Sequence, residues 1–268
     1  MRLLLAQVAP RKGEVGANLE RLRRVVGSGG VDLAVFPELY LSGYRVGDRI
    51  HALALRPGDR PSEELSRIAR AARTTLAVGA PVVLERPGEV GNAVLLVPPE
   101  GPPLRQLKRY LPTYGPFEEG SFFTPTERSA PLPVAGRKVG FLICYDAFFP
   151  EVARELALGG SELLVVISAS PVTSRRLFEK VLPARAVENA VPLVYVNRVG
   201  VEDGVVFGGG THAWDARGEP VPLTPRTGEP LAPEEGLWDL EIDLDDAPRW
   251  RPFRPVLRDV ASRPPVAG

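Results

Sequence analysis

Apolar and polar positions run along this chain in blocks whose period changes, and each change marks an element. Residues 2–8 form a short apolar run that predicts a strand. Residues 17–27 place Leu19, Leu22, Val25 and Val26 at helical spacing. Val31 to Phe36 reads as a buried strand that ends in Pro37 and Glu38. Residues 62–73 predict an amphipathic helix with Ser62 as its N-cap. Strands are predicted at about 75–84 and 92–97, and a third leads into Lys108. Val139 to Ile143 is the most apolar short strand, and it ends in Cys144. A helix from about Pro150 to Leu158, a strand Leu163–Ile167, a helix over about 174–190 and a strand Leu193–Val196 follow. Strands near 205–207, 211–215 and 237–242 close the pattern. From about 245 to 268 the chain is rich in Pro and Arg, which predicts an extended tail, either disordered or an arm on a second subunit.

Strands thus alternate with helices and then give way to strands alone, which indicates a layered α/β fold with a mixed sheet. No linker or repeat divides the 268 residues, so a single domain over 1–268 is expected. Composition narrows the function. Lys+Arg and Asp+Glu balance at 33 each, so the chain lacks the basic face that nucleic-acid binding needs. No apolar run reaches the roughly 18 residues of a membrane span. The first residues lack the pattern of a signal peptide, and a lone cysteine cannot form an internal disulfide. A cytoplasmic protein is the expectation.

Three residues stand out chemically. Cys144 follows a buried strand and precedes a helix by about five residues, which lifts a side chain to the sheet edge where α/β folds bind ligands. A free cysteine is also a common small hydrophobe of cores. Lys108 is one of only four lysines in a chain that otherwise uses Arg. A compact ammonium there could lower a thiol's pKa and stabilise an oxyanion, whereas the default for a lysine is a solvated surface. Glu38, directly after a buried strand, stands where a general base or a loop cap would be mounted. A Cys–His enzyme would have only His51 or His212 to use. Neither a Walker A pattern nor a Gly-x-Gly-x-x-Gly after the first strand is present.

Together the segments Phe36–Glu38, Lys108 with Leu111 and Pro112, and Ile143–Asp146 resemble the nitrilase, or carbon–nitrogen hydrolase, superfamily. The resemblance continues through Gly43–Tyr44, Phe149–Glu151, Arg185–Asn189 and Val196–Gly200. It ends in Phe207–Gly218, which looks like the family's closing hairpin. It implies a four-layer αββα sandwich with two mixed β-sheets, a homodimer or higher homo-oligomer, and neither metal nor organic cofactor. It implies Cys144 as nucleophile, Glu38 as general base, Lys108 as oxyanion-stabilising cation, and Glu119 as a second glutamate that orients substrate. The N–H of Tyr145 would complete the oxyanion site.

The implied substrate is a small amide. Cys144–Glu151 is similar to standalone aliphatic amidases, while residues 34–48, 108–123 and 192–218 resemble the glutaminase domain of glutamine-dependent NAD synthetases. Ala147 and Phe148 replace the arginines usual in carbamoyl-amino-acid hydrolases, and a small nitrile would use the same nucleophile. Ser170–Thr173 stands where substrate-lining residues often lie. The loops 40–51 and 112–123 are expected to rim the pocket, with Tyr44, Tyr114 and Phe117 among its aromatic walls. Such walls favour slender acyl chains.

Overall fold

The computed structural model describes residues 1–229 and 231–262. In chain order, the first half builds β1 (Arg2–Gln7), α1 (Val15–Val26), β2 (Leu33–Val35), α2 (Ile50–Leu53), α3 (Arg60–Ala72), β3 (Thr75–Val83), β4 (Val90–Val97) and β5 (Leu104–Leu107). The second builds β6 (Leu132–Val134), β7 (Arg137–Ile143), α4 (Pro150–Leu158), β8 (Leu163–Ser168), α5 (Arg175–Asn189) and β9 (Leu193–Asn197). It closes with β10 (Val199–Glu202), β11 (Val205–Gly208), β12 (His212–Trp214), β13 (Thr224–Pro225), β14 (Gly236–Glu241), α6 (Asp246–Trp250) and α7 (Val256–Ser262).

Two mixed sheets result, of order β13-β14-β1-β2-β3-β4-β5 and β12-β9-β8-β7-β6. β1, β2 and β3 run parallel, as do β7, β8 and β9, and antiparallel strands flank both groups. The alternation of side chains along each strand sorts them into layers. Leu3, Leu5, Leu33, Val35 and Ala77 face inward and share a core with Val139, Phe141, Val165 and Val194 of the other sheet. Their neighbours Leu4, Ala6, Ala34, Leu76 and Val78 face outward, against Leu19 and Leu22 of α1 and Leu65 and Ile68 of α3. α4 and α5 cover the other sheet through Val152, Leu156, Phe178 and Leu182. The order is therefore α–β–β–α. The central strands read as near-continuous apolar runs because both of their faces are buried. No helix among the described residues is long and apolar enough to cross a membrane.

Three expectations need correction. α3 starts earlier than predicted: the Asp59 carboxylate accepts from the Ser62 N–H at 2.9 Å, so Asp59 is the cap and Ser62 lies inside the first turn. Pro61 at that turn suits the start, where its missing N–H costs nothing. Phe207–Gly218 is not one hairpin. β11 pairs with β10 in a separate ribbon, and Gly209 and Gly210, both at positive φ, turn the chain toward β12, which joins β9. The tail is not extended where it is described. α6 and α7 fold back, and Leu257 packs on the chain's own core beside α4 and α5. Val256, Leu257 and Val260 have helical spacing that the density of Pro and Arg masks. Residues 263–268 of the predicted tail lie outside the described residues.

Candidate active site

The predicted residues sit at the carboxyl ends of strands from both sheets. Glu38 lies just beyond β2, Lys108 directly after β5, and Cys144 directly after β7 at the start of a 3-10 turn, Cys144–Phe148. Cys144 holds φ at +49°, and Leu39, next to Glu38, holds the same value. Each such non-glycine residue costs roughly 1–3 kcal/mol and persists only where the surroundings over-determine it. Asp146 is one such determinant, because its carboxylate accepts from Ile143 N at 3.2 Å, Arg109 N at 3.1 Å and Tyr110 N at 2.8 Å. One buried side chain thus ties the lysine segment to the cysteine turn. Gly79 of β3 does the same for Glu38, since a Cβ there would stand 2.1 Å from Pro37 O and 2.6 Å from Glu38 Cα.

Lys108 is wholly buried, and its Nζ lies 2.7 Å from Glu38 Oε1 and 2.7 Å from Glu119 Oε1. Glu38 Oε1 also accepts from Asn92 Nδ2 at 2.8 Å, and Oε2 accepts from Ala169 N at 2.8 Å. Glu119 Oε1 accepts from the Tyr44 hydroxyl as well, while Oε2 is buried without a partner. Two carboxylates thus share one ammonium. Burial, together with the charge of Glu38, pushes Glu119 up to about 7 against the pull of Lys108. Lys108 itself is held protonated: its burial opposes the charge, but Glu119 and Glu38 outweigh it.

The thiol behaves differently from the sequence expectation. Lys108 does pull the Cys144 pKa down, but burial and the negative charge of Glu38 outweigh it and push the thiol well above its usual range. Burial and the Glu38 charge thus favour the neutral form of the thiol. Glu38 and Lys108 both face it closely enough to shift it, in opposite directions.

Of Tyr44, Tyr114 and Phe117, the walls expected around the pocket, only Tyr44 lines the cavity between the loops, while the rings form a continuous chain of contacts. Phe207 meets Tyr44 at 6.0 Å, Tyr44 meets Phe117 at 6.0 Å, Phe117 meets Tyr114 at 5.7 Å, and Tyr114 meets Tyr145 at 5.4 Å. A cavity of about 290 Å³ between the two predicted loops is lined by Tyr44, Arg45, Ile50, Glu119 and Phe122, and Cys144 is not among its walls. A larger cavity of about 780 Å³, on the outer face of β3–β5 beside α3, contains none of the predicted residues. Ser170 is buried after β8, held by Asn197 through both its N–H and its carbonyl. The Tyr145 N–H, second in its 3-10 turn, has no acceptor within that turn. His51 is exposed on α2, and His212 stands against Trp214 at 4.8 Å; neither belongs to the cluster around Lys108.

The model of the carbon–nitrogen hydrolase family matches residues 3–252. The chain belongs to that family. As a carbon–nitrogen hydrolase it is 35% identical to an (R)-stereoselective amidase of a Pseudomonas species over 97% of this chain and 91% of the relative. It is 32% identical to the glutamine-dependent NAD(+) synthetase of Thermotoga maritima over 92% of this chain but only 42% of that protein. Among solved structures, an amidase from Nesterenkonia sp. AN1 matches with a TM-score of 0.78 and 30% identity, over 94% of this chain and 99% of that one. That structure carries acrylamide added at its active-site cysteine, and another of the same amidase holds butyramide.

Three features of this hydrolase escaped the sequence reading. Phe207 packs against Tyr44, a contact between distant segments that no local pattern displays. Asn197 and Asn92 are buried amides whose role shows only once partners from other strands arrive. Asp146 was visible beside Cys144, but its hold on residues 109 and 110 is long-range.

Proposed function

We propose that this carbon–nitrogen hydrolase cleaves the C–N bond of a small linear carboxamide through a thioester on Cys144. The observation that carries the reading is the buried Lys108 ammonium shared by Glu38 and Glu119 beside a thiol that burial keeps neutral. Glu38 takes the thiol proton as sulfur attacks the carbonyl. The Lys108 ammonium and the Tyr145 N–H hold the oxyanion. The unpartnered Oε2 of Glu119 is the acceptor left for the substrate amide N–H. Glu38 returns its proton to the departing ammonia, takes one from water as the water attacks the thioester, and passes it to the departing Cys144 sulfur, which releases a carboxylic acid and restores the thiol. A positioned base contributes roughly 10²–10⁴-fold and one oxyanion donor about 10²–10³-fold.

The rings of Tyr44, Phe117, Tyr114 and Tyr145, stacked edge to edge up to the residue after Cys144, support a slender acyl group, as does the butyramide held by the Nesterenkonia amidase. Glutamine is the second reading, favoured by the likeness to NAD synthetase over most of this chain. The test is ammonia release from acetamide, propionamide, butyramide, glutamine, asparagine, an arylamide and a short nitrile, each with the wild type and with Cys144→Ala. Short linear amides should lead in kcat/KM, the variant should be inactive, and mass spectrometry should find the acyl group on Cys144. A variant that kept more than a few per cent of wild-type turnover would remove the mechanism, and a faster arylamide would remove the narrow pocket.

A further inference from the structure

Beyond the reacting groups lies an ion pair that their chemistry does not use. Arg198 immediately precedes β10 and Glu202 ends it, and both are almost wholly buried. Arg198 Nη1 donates to Glu202 Oε1, and burial lowers the Arg198 pKa against the pull of Glu202. Buried pairs of this kind contribute little net stability, because desolvation offsets their attraction. A two-stranded ribbon does not need one in order to form.

The pair's other contacts give it a purpose. Glu202 Oε2 accepts from Tyr44 N at 2.9 Å and Arg45 N at 2.8 Å. Gly43 makes that approach possible: it holds φ at +78°, and a Cβ there would meet Lys12 Cα at 2.9 Å and Glu202 Oε1 at 3.1 Å. The Arg198 guanidinium lies 4.0 Å over the Phe207 ring, and Phe207 in turn meets the Tyr44 ring. Tyr44 is therefore held at its backbone by Glu202 and at its ring by Phe207. Its hydroxyl donates to Glu119 Oε1, the oxygen that also receives Lys108 Nζ. The neighbouring Asn197 completes the arrangement on the other side. It holds Ser170 N and Ser170 O, next to Ala169, whose N–H donates to Glu38 Oε2.

We propose that the Arg198–Glu202 pair is a positioning unit for the reacting set: it fixes Tyr44 so that the Tyr44 hydroxyl holds Glu119 in register with Lys108. Neither residue touches the substrate, and both act through Tyr44. The groups that face the Glu119 carboxylate are Lys108, Glu38 and Tyr44, with the Cys144 thiol nearby. Loss of the Tyr44 hydroxyl removes one of the two donors to Oε1 and so alters the ionisation of Glu119. The proposal rests on the assignment of Cys144, Lys108, Glu38 and Glu119 as reacting groups.

The test is a double-variant cycle read by kcat, KM and the pH profile of kcat/KM on a short amide. Arg198→Met/Glu202→Leu removes both charges, so that no unpaired charge is left buried, and also removes the acceptor of the Tyr44 and Arg45 N–H groups. Tyr44→Phe removes only the hydroxyl and leaves the pair intact. Each should lower kcat by about tenfold or more with a smaller change in KM, and each should displace the Glu119 limb of the profile in the same direction. Together they should cost no more than about twofold beyond the worse of the two, because both break one chain of contacts. Losses that multiply would overturn the proposal. So would a Tyr44→Phe enzyme with the wild-type profile, and that outcome is available even if the charge-removing variant fails to fold. Residual turnover in Cys144→Ala would instead fault the assignment of the reacting groups, so the two failures are distinguishable.

Discussion

Lys108 serves two carboxylates with one ammonium, and that arithmetic governs what single substitutions should do. Lys108→Arg keeps the charge but places a planar fork in a site with no exposed surface, where a compact donor bridges two oxygens 2.7 Å away on either side. It should lose about 10²–10³-fold in kcat on a saturating short amide, as much as Lys108→Ala. Glu119 makes the pH behaviour predictable. Its pKa rises from 4.5 to about 7 on folding, so the stability tied to its proton is fully present below the unfolded value and is lost as pH climbs through about 7. Glu119→Gln has no such proton to lose. The unfolding temperature of the variant minus that of the wild type should therefore increase between about pH 5 and about pH 8, whatever its sign at the acid end. A flat difference across that range would show that Glu119 is not perturbed. At this scale the sequence was informative where residue type was rare: one cysteine, four lysines. It was silent where types were common. Nothing local separates Glu118 from Glu119, of which only the second is buried, and only the family resemblance picked it out.

Strands were legible because burial on both faces leaves an unbroken apolar run, and α4 was legible to the residue. Caps and ribbons were less so: Asp59 competes with Ser62 as a cap, and the short strand β10 contains Gly200 at positive φ. The elements also carry constraints that no periodicity displays. Gly79→Ala would drive a methyl into the backbone of Pro37 and Glu38, so β3 or the Glu38 segment must move. Overpacking of this kind costs roughly 1–3 kcal/mol. Activity should fall further than that loss of stability explains, which denaturant unfolding and kcat measured on one preparation would reveal. Asp146→Asn should uncouple the ends of β5 and β7, because an amide has one acceptor oxygen where three N–H groups converge. A loss of about 1–3 kcal/mol with a parallel drop in kcat is expected, and an unchanged kcat in a destabilised protein would assign Asp146 to folding alone.

Across the whole molecule, the α–β–β–α order was readable from the sequence through resemblance, whereas the path of the tail was not. α6 and α7 lie against the chain's own outer layer, and Phe253 remains 82% exposed there, with Leu158 and Leu177 also exposed on α4 and α5. The family resemblance implies a homodimer or larger assembly, and exposed apolar side chains on this outer layer are available to it. Light scattering at micromolar concentration checks this, and a monomer would refute it. Glu38 and Lys108 extend from one sheet and Cys144 from the other. The proposed base and nucleophile are thus aligned across a seam that is mostly side-chain packing, and on that proposal turnover gauges how truly the two layers are seated. Mild urea, too dilute to change the circular dichroism, should already slow the enzyme, and substrate bound across the seam should restore the rate by clamping the layers together.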